Sequence, residues 1–350
     1  MTGRPVRRAS ALAAGLLFVI VAVVGSAPVP SSAAPFEAPV LFAALSYSDG
    51  VRLYFRVPAT IDGQPVVQLG ASRSATNGRA GWNLQDARMY VDTGAEKATT
   101  YQYAVTASAA GGTLESKAVT LKVVGSRNDL RKFTSASAFV SRQYQAFLGR
   151  PPTASELVKA LGSVGAGKTA SNSSFLRSLL EDPSRAARQR VARLYIAYFK
   201  RPPDHGGLGY WSSQLQAGTK SIDDVSDSFA RSNEFTRTYG TLSDIDFVTL
   251  VYENVLDRNP DSAGKDFWID ELDSGAALRG RVMTQFSESN EFRTTSRTRV
   301  QAGDLWDAML GTNIPAAQYT DYVGHLDGGG NIGDLGLLIL SLSAYHGDKS

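Results

Sequence analysis

The chain has 350 residues, 43% of them hydrophobic, which is enough for two or three domains with packed cores. Its formal net charge of +3 equals the three arginines Arg4, Arg7 and Arg8, which lie in a segment without acidic residues. Removing them from the 36 basic residues leaves 33, against 33 acidic residues, and this balance argues against nucleic acid as a partner. The absence of Cys excludes disulfides, thiol nucleophiles and thiolate metal ligands.

Residues 1–34 have the pattern of a secretory signal peptide. The basic start is followed by an apolar run from Ala9 to Val24, and small residues then offer cleavage after Ala27 or Ala34. The run is shorter than the ~20 residues that a membrane-spanning helix needs. We therefore predict a secreted, extracellular or cell-envelope protein, which would be held in a membrane only if this segment stays uncleaved.

Residues 35–125 predict an all-β domain. Apolar and polar residues alternate in Val51–Val57, which is typical of a half-buried strand, and the alternation returns in Thr100–Ala107 and Val119–Val123. About seven short strands in a segment of this length favour an immunoglobulin-like β-sandwich. Residues 126–137 are predicted to form a linker.

The order of residues in this domain resembles that of a fibronectin type III domain. Phe55–Pro58 is similar to the family's strand B, Thr99–Ala107 to its strand F, and Gly112–Ser116 to the turn after strand F. The resemblance implies that Tyr101 takes the tyrosine-corner position and that the domain is a spacer or a weak binding module. We interpret Trp82 as a loop residue that either contacts a ligand or covers the edge of the sandwich.

Residues 138–350 predict an all-α repeat domain, because one spacing occurs four times. An aromatic residue is followed by a turn position, a second ring, a glycine and an apolar residue. The copies span about 138–188, 189–240, 244–296 and 299–347. These five positions are Tyr195, Arg201, Trp211, Gly218 and Phe229 in copy two, and Tyr252, Arg258, Trp268, Gly275 and Phe286 in copy three. Copies one and four are degenerate, with Tyr144, Arg150, Ala160 and Gly167, and with Trp306, Thr312, Tyr322 and Gly329.

Each copy predicts three helices. Thr153 and Glu156 form a capping-box pattern, and Asp204 and Asp261 are predicted N-caps at the same position. The recurring glycine suits a helix end that needs a positive φ. We expect the recurring rings to be structural core rather than a ligand platform, namely Tyr195, Trp211, Tyr252, Trp268 and Trp306. The degenerate terminal copies are typical of the capping repeats of an open stack.

The pattern Leu-Tyr-x5-Arg-x-Pro-Asp-x-x-Gly, followed by Trp, Gly and Ser-x-Glu-Phe, resembles the secreted bacterial repeat known as domain of unknown function 4214. That family is similar to the linker domains of phycobilisomes, which dock proteins to one another. The resemblance covers about residues 138–347 and implies protein docking, with no established activity.

The turn arginine and the closing glutamate occur together in copies two and three and are both missing from copy four. We therefore predict the ion pairs Arg201–Glu234 and Arg258–Glu291, which would tie the first turn of a repeat to its last helix. The alternative is two independently exposed charges, for which pairing would contribute at most ~1 kcal/mol.

Two motifs point to ligands that the context disfavours. Gly162–Thr169 matches the phosphate-binding pattern GxxxxGK[ST], but a capped helix rather than a strand precedes it, so we predict a loop without nucleotide. Asp257, Asn259 and Asp261 imitate half of a calcium loop that lacks its usual glycine and glutamate. We predict no cofactor, with a calcium site as the alternative to a polar turn.

The sequence thus favours a non-catalytic scaffold that binds an extracellular or cell-wall protein or a surface glycan. One alternative is an accessory or catalytic module of extracellular polysaccharide degradation, because fibronectin-like spacers accompany such enzymes. Another is a calcium-stabilised surface protein. Two facing carboxylates in a cleft would favour the degradative module, whereas buried Trp211 and Trp268 would favour the scaffold.

Overall fold

A β-domain precedes a larger domain of α-helices, as the sequence predicted. The computed structural model describes residues 38–47, 50–75, 78–84, 90–96, 98–123, 130 and 132–346. The predicted signal segment 1–34 and part of the predicted linker therefore lie outside the described residues. Within the described part of the chain, no helix is long and apolar enough to cross a membrane.

The β-domain is a sandwich of antiparallel sheets. One sheet has the order β1-β2-β7, and a second has the order β10-β8-β5-β6 with β9 beside β8. The short strands β3 and β4 form a separate two-stranded sheet. Apolar side chains from both sheets, among them Leu53, Phe55 and Val105, fill the space between them. The strands are β1 Val40–Tyr47, β2 Gly50–Arg56, β3 Thr60–Ile61, β4 Gln64–Pro65, β5 Gln68–Ala75, β6 Gly78–Leu84, β7 Tyr90–Asp92, β8 Thr100–Ala109, β9 Gly112–Glu115 and β10 Val119–Lys122.

Tyr101 makes the contact that the fibronectin resemblance implies. It lies at the start of β8, and its hydroxyl oxygen accepts a hydrogen bond from the main-chain N–H of Glu96 at 3.2 Å. A tyrosine at this corner that bonds back to the upstream main chain is typical of immunoglobulin-like sandwiches.

The helical domain contains four copies of a helix–turn–helix–helix unit. Copy one has α1 Ala136–Leu148, α2 Ala154–Ser163 and α3 Thr169–Leu180. Copy two has α4 Ala186–Phe199, α5 His205–Gln216, α6 Ile222–Ala230 and the short α7 Asn233–Tyr239. Copy three has α8 Asp244–Leu256, α9 Ser262–Asp273, α10 Arg279–Ser287 and the short α11 Asn290–Thr295. Copy four has α12 Arg297–Leu310, α13 Ala316–Asp327 and α14 Ile332–Ser341.

The predicted helix ends are confirmed. Thr153 and Glu156 form a capping box at the start of α2, and Asp204 and Asp261 accept main-chain hydrogen bonds at the starts of α5 and α9. The recurring glycine follows the second helix of each copy in a left-handed conformation, with φ of 73° at Gly167, 68° at Gly218, 72° at Gly275 and 88° at Gly329. These contacts satisfy main-chain groups that a helix end leaves unpaired.

The terminal copies pack against each other rather than ending an open stack. In copies two and three, α6 packs on α10 and α4 on α8, and the side chains form one core. In copies one and four, α3 packs on α14 and α1 on α12, and these helices form a second core. Copy one therefore pairs with copy four as copy two pairs with copy three, and α12 packs against α4 to join the two pairs.

A glycine permits the close helix crossing in each pair. Gly280 and Gly333 are the second residues of α10 and α14. A Cβ atom on Gly333 would collide with the carbonyl of Ser173 in α3, and one on Gly280 would collide with the main chain of Asp227 in α6. A larger residue would force the paired helices apart, so these glycines are required by packing.

The expectation of a half-buried strand at β2 is wrong, because the helical domain covers the outer face of this strand. Tyr54 is fully buried there, in the core formed by copies one and four, and its hydroxyl donates to the main-chain oxygen of Asp334 at 3.2 Å. Arg52 is also buried and lies 3.7 Å from the Asp334 carboxylate. Each residue that sequence alternation assigns to solvent instead contacts a helix of copy four.

Two further contacts join β2 to α13. Arg56 Nε donates to Asp321 Oδ1 at 2.7 Å, and His325 Nδ1 lies 3.1 Å from the main-chain oxygen of Phe55. Burial lowers the pKa of His325 to about 4, so the imidazole is neutral at pH 7 and donates to that oxygen. The β-domain thus packs on copy four through buried and partly buried contacts.

Candidate binding surface

The six-residue spacing joins a ring of the first helix to the turn that follows it. In three copies the turn arginine lies over that ring, at 5.6 Å for Arg150 over Tyr144, 5.1 Å for Arg201 over Tyr195 and 5.2 Å for Arg258 over Tyr252. Copy four replaces the stacked cation with a hydrogen bond, because Trp306 Nε1 donates to Thr312 Oγ1 at 3.2 Å. The spacing therefore has a structural role in every copy, through cation–π contact or its substitute.

The glycine of Pro-Asp-x-x-Gly makes room for the hydroxyl of the same tyrosine. In copy two, Gly207 N donates to the N-cap Asp204 at 2.7 Å, and a Cβ atom on Gly207 would collide with Tyr195 Oη. Burial, followed by the Asp204 charge, raises the pKa of Tyr195 to about 12. Copy three repeats the arrangement with Gly264, Asp261 and Tyr252.

The structure brings one of the two predicted ion pairs together. Arg201 Nε and Nη2 donate to the two oxygens of Glu234, each at 2.7 Å. It does not bring Arg258 to Glu291. Arg258 lies 3.8 Å from the Asp261 carboxylate instead, and both Arg258 and Glu291 are exposed. A solvent-exposed ion pair contributes less than about 1 kcal/mol. The distant Glu291 therefore has little energetic advantage over the adjacent N-cap Asp261 as a partner for Arg258.

The predicted structural rings differ in their burial. Tyr195, Tyr252 and Trp306 are buried, as expected. Trp211 and Trp268 are only partly buried, with their rings 5.7 Å from Phe229 and 5.8 Å from Phe286. The two tryptophans therefore lie at the border of the core and are partly exposed.

An exposed ring lies beside each of these tryptophans. Tyr210 is 54% exposed and Phe267 is 53% exposed. Their ring centres lie 4.8 Å from Trp211 and 4.9 Å from Trp268, in edge-to-face contact. We call Tyr210–Trp211 and Phe267–Trp268 the ring pairs; they occupy the same position of α5 and α9.

Copy four shows what this helix face can contact. Asp321 precedes Tyr322 as Tyr210 precedes Trp211, and its carboxylate bonds Arg56 of the β-domain. The same face of the second helix is thus covered by protein in copy four and bears an exposed ring in copies two and three.

Two of the three predicted calcium ligands, Asp257 and Asp261, have structural roles at helix ends. Asp261 Oδ1 accepts a hydrogen bond from Gly264 N at 2.9 Å, and Asp257 takes the left-handed position at the end of α8 with φ of 52°. Asn259 is exposed in the turn between them. Among the described residues, no group of three His, Asp or Glu side chains is arranged to hold a metal ion.

The phosphate-loop pattern lies between two helices. Residues 162–169 run from the end of α2 to the start of α3, so no strand precedes the loop. The Asn172 side chain bonds both main-chain groups of Gly165, at 3.0 Å and 2.8 Å, and this fixes the turn. Trp82 belongs to strand β6, paired with Ala71, rather than to a loop; its side chain lies outside the described part of the structure.

Comparisons with known proteins found a family model and a solved structure that resemble parts of the chain. The family model "Domain of unknown function (DUF4214)" matches residues 166–237 and 226–296. No curated protein matches the chain. A solved structure titled "Myokine structure" is similar at 18% identity and a TM-score of 0.18, over 25% of this chain and 97% of its own. The family model therefore matches two overlapping segments, both within the helical domain.

Proposed function

We propose that this protein is an exported, non-catalytic binding protein that engages an extracellular or cell-wall protein or a surface glycan through its ring pairs. The observation that carries the proposal is the recurrence of an exposed ring beside a core-anchored tryptophan in both repeats that match the family model. Exposed single residues are ordinary, but the same exposed aromatic position in two repeats is a shared surface feature.

The physical character of the ring pairs suits recognition. The Trp211 ring packs on Phe229, so the neighbouring Tyr210 ring is held at the surface by a partly buried partner. A rigid ring loses little conformational entropy on binding and offers a large contact area, and Trp and Tyr are therefore enriched among the residues that dominate binding energy. The copy-four contact between Asp321 and Arg56 supports the same use of this helix face.

Asp304, a buried carboxylate in the wall of a cavity between the copies, is in a state that does not suit glycoside hydrolysis. Asp304 is buried and accepts from Arg185 Nη2 at 2.6 Å and Arg188 Nε at 3.1 Å. Burial alone would raise the pKa of Asp304, but these two guanidinium groups lower it below its usual value. A glycosidase general acid needs the opposite, a raised pKa that keeps its proton until the bond breaks.

The test compares binding of residues 35–350 with that of the double variant Y210A/F267A. Isolated neutral cell-wall polysaccharide and envelope proteins are immobilised separately, and the affinity for each is measured. Truncation of one central aromatic residue costs about 2 kcal/mol or more, so loss of both rings should weaken binding at least ~30-fold. The control V67A/V158A removes side chains that are 71% and 73% exposed and should bind normally. Undiminished binding by Y210A/F267A would refute the assignment to the ring pairs.

A further inference from the structure

A polar cleft lies where all four copies meet. One part has a volume of 320 Å³ and is bounded by the end of α3, by α4, by α11 and by α12. A second part of 490 Å³ continues along α3 and α12 to the turn before α14. The two parts share Glu181, Arg297 and Gln301, so these side chains form the ridge between them. We call this the arginine cleft, after Arg177, Arg193, Arg293 and Arg297 in its walls.

The described residues of its walls include three carboxylates, and two of these are buried and already paired with arginines. Asp304 is bonded to Arg185 and Arg188, and Asp334 lies beside Arg52. Arg193 donates to both oxygens of Glu288 at 2.8 Å. Among the described residues, Arg293 is exposed and forms no ion pair. The cleft thus retains positive charge in a chain whose residues after the signal segment balance to zero.

The contacts of Glu181 show how side chains of the cleft can bind a carboxylate. Arg177 Nε donates to one of its oxygens at 3.1 Å, and Arg297 Nη2 and Gln301 Nε2 approach the other at 3.0 Å and 3.3 Å. Two guanidinium groups and an amide from different copies therefore converge on one partly exposed anion. Guanidinium groups recognise carboxylate and phosphate through charge-assisted hydrogen bonds of this kind.

We propose that the arginine cleft binds an anionic glycan, whose carboxylate or phosphate groups interact with Arg293 and Arg297 and compete with Glu181. Neutral donors and acceptors, Gln189 in one part and Thr298 in the other, alternate with the arginines and suit sugar hydroxyls. Among the described residues that line the cleft, none is an aromatic residue on which a nucleotide base could stack. The volume of each part lies in the range of small-molecule sites. This cleft is distinct from the ring pairs and extends the proposed function to a second site.

The first experiment measures binding of residues 35–350 to oligogalacturonate, a carboxylate-bearing glycan, and to a poly(glycerol phosphate) glycan, by calorimetry at low salt. Neutral dextran and poly-glutamate are the comparison ligands. We expect binding to at least one anionic glycan, weakened at least tenfold by R293Q/R297Q and by raising the salt to 0.5 M. The control R237Q changes an exposed arginine of α7 outside the cleft and should bind normally.

The second experiment uses E181Q, which removes the competing carboxylate and leaves the arginines in place. We expect E181Q to bind the anionic glycan several-fold more tightly, whereas a merely structural role of Glu181 would leave affinity unchanged or reduce it. Equal binding of dextran, tighter binding of poly-glutamate, or unchanged affinity in R293Q/R297Q would overturn the proposal. Y210A/F267A should keep the affinity for the anionic glycan, so failure of the ring-pair proposal is distinguishable from failure of this one.

Discussion

Substitution of Gly207 by alanine tests the packing that links the tyrosine of a repeat to its second helix. Gly207 lies in the first turn of α5, directly under the Tyr195 hydroxyl. A Cβ atom at this position would clash with Tyr195 Oη, because it would lie well inside the 3.0 Å minimum for Cβ contacts in real proteins. Tyr195 is only 5% exposed and packs edge-to-face on Phe229, so its ring has little room to retreat.

The magnitude follows from two opposing effects. Overpacking a core contact costs about 1–3 kcal/mol, and alanine recovers up to about 1 kcal/mol of helix propensity relative to glycine. Gly209 lies two residues further along α5, where a Cβ atom would meet nothing within 4 Å. G209A should therefore gain up to about 1 kcal/mol, and G207A should be less stable than G209A by about 1–3 kcal/mol.

The assay is urea denaturation followed by circular dichroism for G207A, G209A, Y195F and the double variant G207A/Y195F. Removing the tyrosine oxygen removes the collision, so G207A should be much less harmful in the Y195F background. The coupling between the two sites is the quantity that reports contact. If G207A is as stable as G209A, or if Y195F gives no rescue, then the tyrosine hydroxyl does not dictate glycine at this position.

Two further predictions concern charges. A double-mutant cycle on Arg201 and Glu234 should show a coupling of up to about 1 kcal/mol, since both are partly exposed, whereas Arg258 and Glu291 should show none. A coupling in the second pair as large as in the first would contradict the observed contacts. Burial lowers the pKa of His325 to about 4, below the ~6.5 of a histidine in an unfolded chain. The unfolded state therefore binds a proton first as the pH falls, so the free energy of unfolding has its full value above pH 6.5 and decreases by about 2–3 kcal/mol toward pH 4. Urea midpoints at pH 7 and pH 4.5 should reveal this loss in the native chain and a smaller one in H325Q; equal losses would show that His325 titrates in solvent.

Much of the helical domain could be predicted from the sequence because its signals are local. The N-cap Asp204 and the glycine at 218 specify helix ends through contacts within a few residues, and both are where the spacing placed them. The Arg201–Glu234 contact spans one repeat, and the joint occurrence of the two residues indicated it. The exposed rings had a visible signal as well, since an aromatic residue precedes the tryptophan in both matching copies.

The pairing of the copies and the packing of the β-domain on copy four could not be predicted in the same way. Alternation in β2 gave Tyr54 a solvent-facing position, but alternation does not indicate whether another domain covers a face. Gly333 and Gly280 are ordinary helix residues in the sequence. Their closeness to a partner helix becomes visible only when α14 is placed against α3 and α10 against α6. The arginine cleft is invisible for the same reason, because Arg177, Arg293 and Arg297 come from three different copies.

The arginine cleft and the surface on which the β-domain packs both depend on the pairing of copy one with copy four. The chain has no native Cys, so nitroxide labels can be attached at Glu181→Cys and Arg297→Cys, whose native side chains lie 3.0 Å apart. Neighbouring helices are separated by about 10 Å, and dipolar spectroscopy should therefore give a single interspin distance below about 20 Å. An open stack would hold these labels apart by two intervening copies, and a distance beyond about 40 Å would contradict the account.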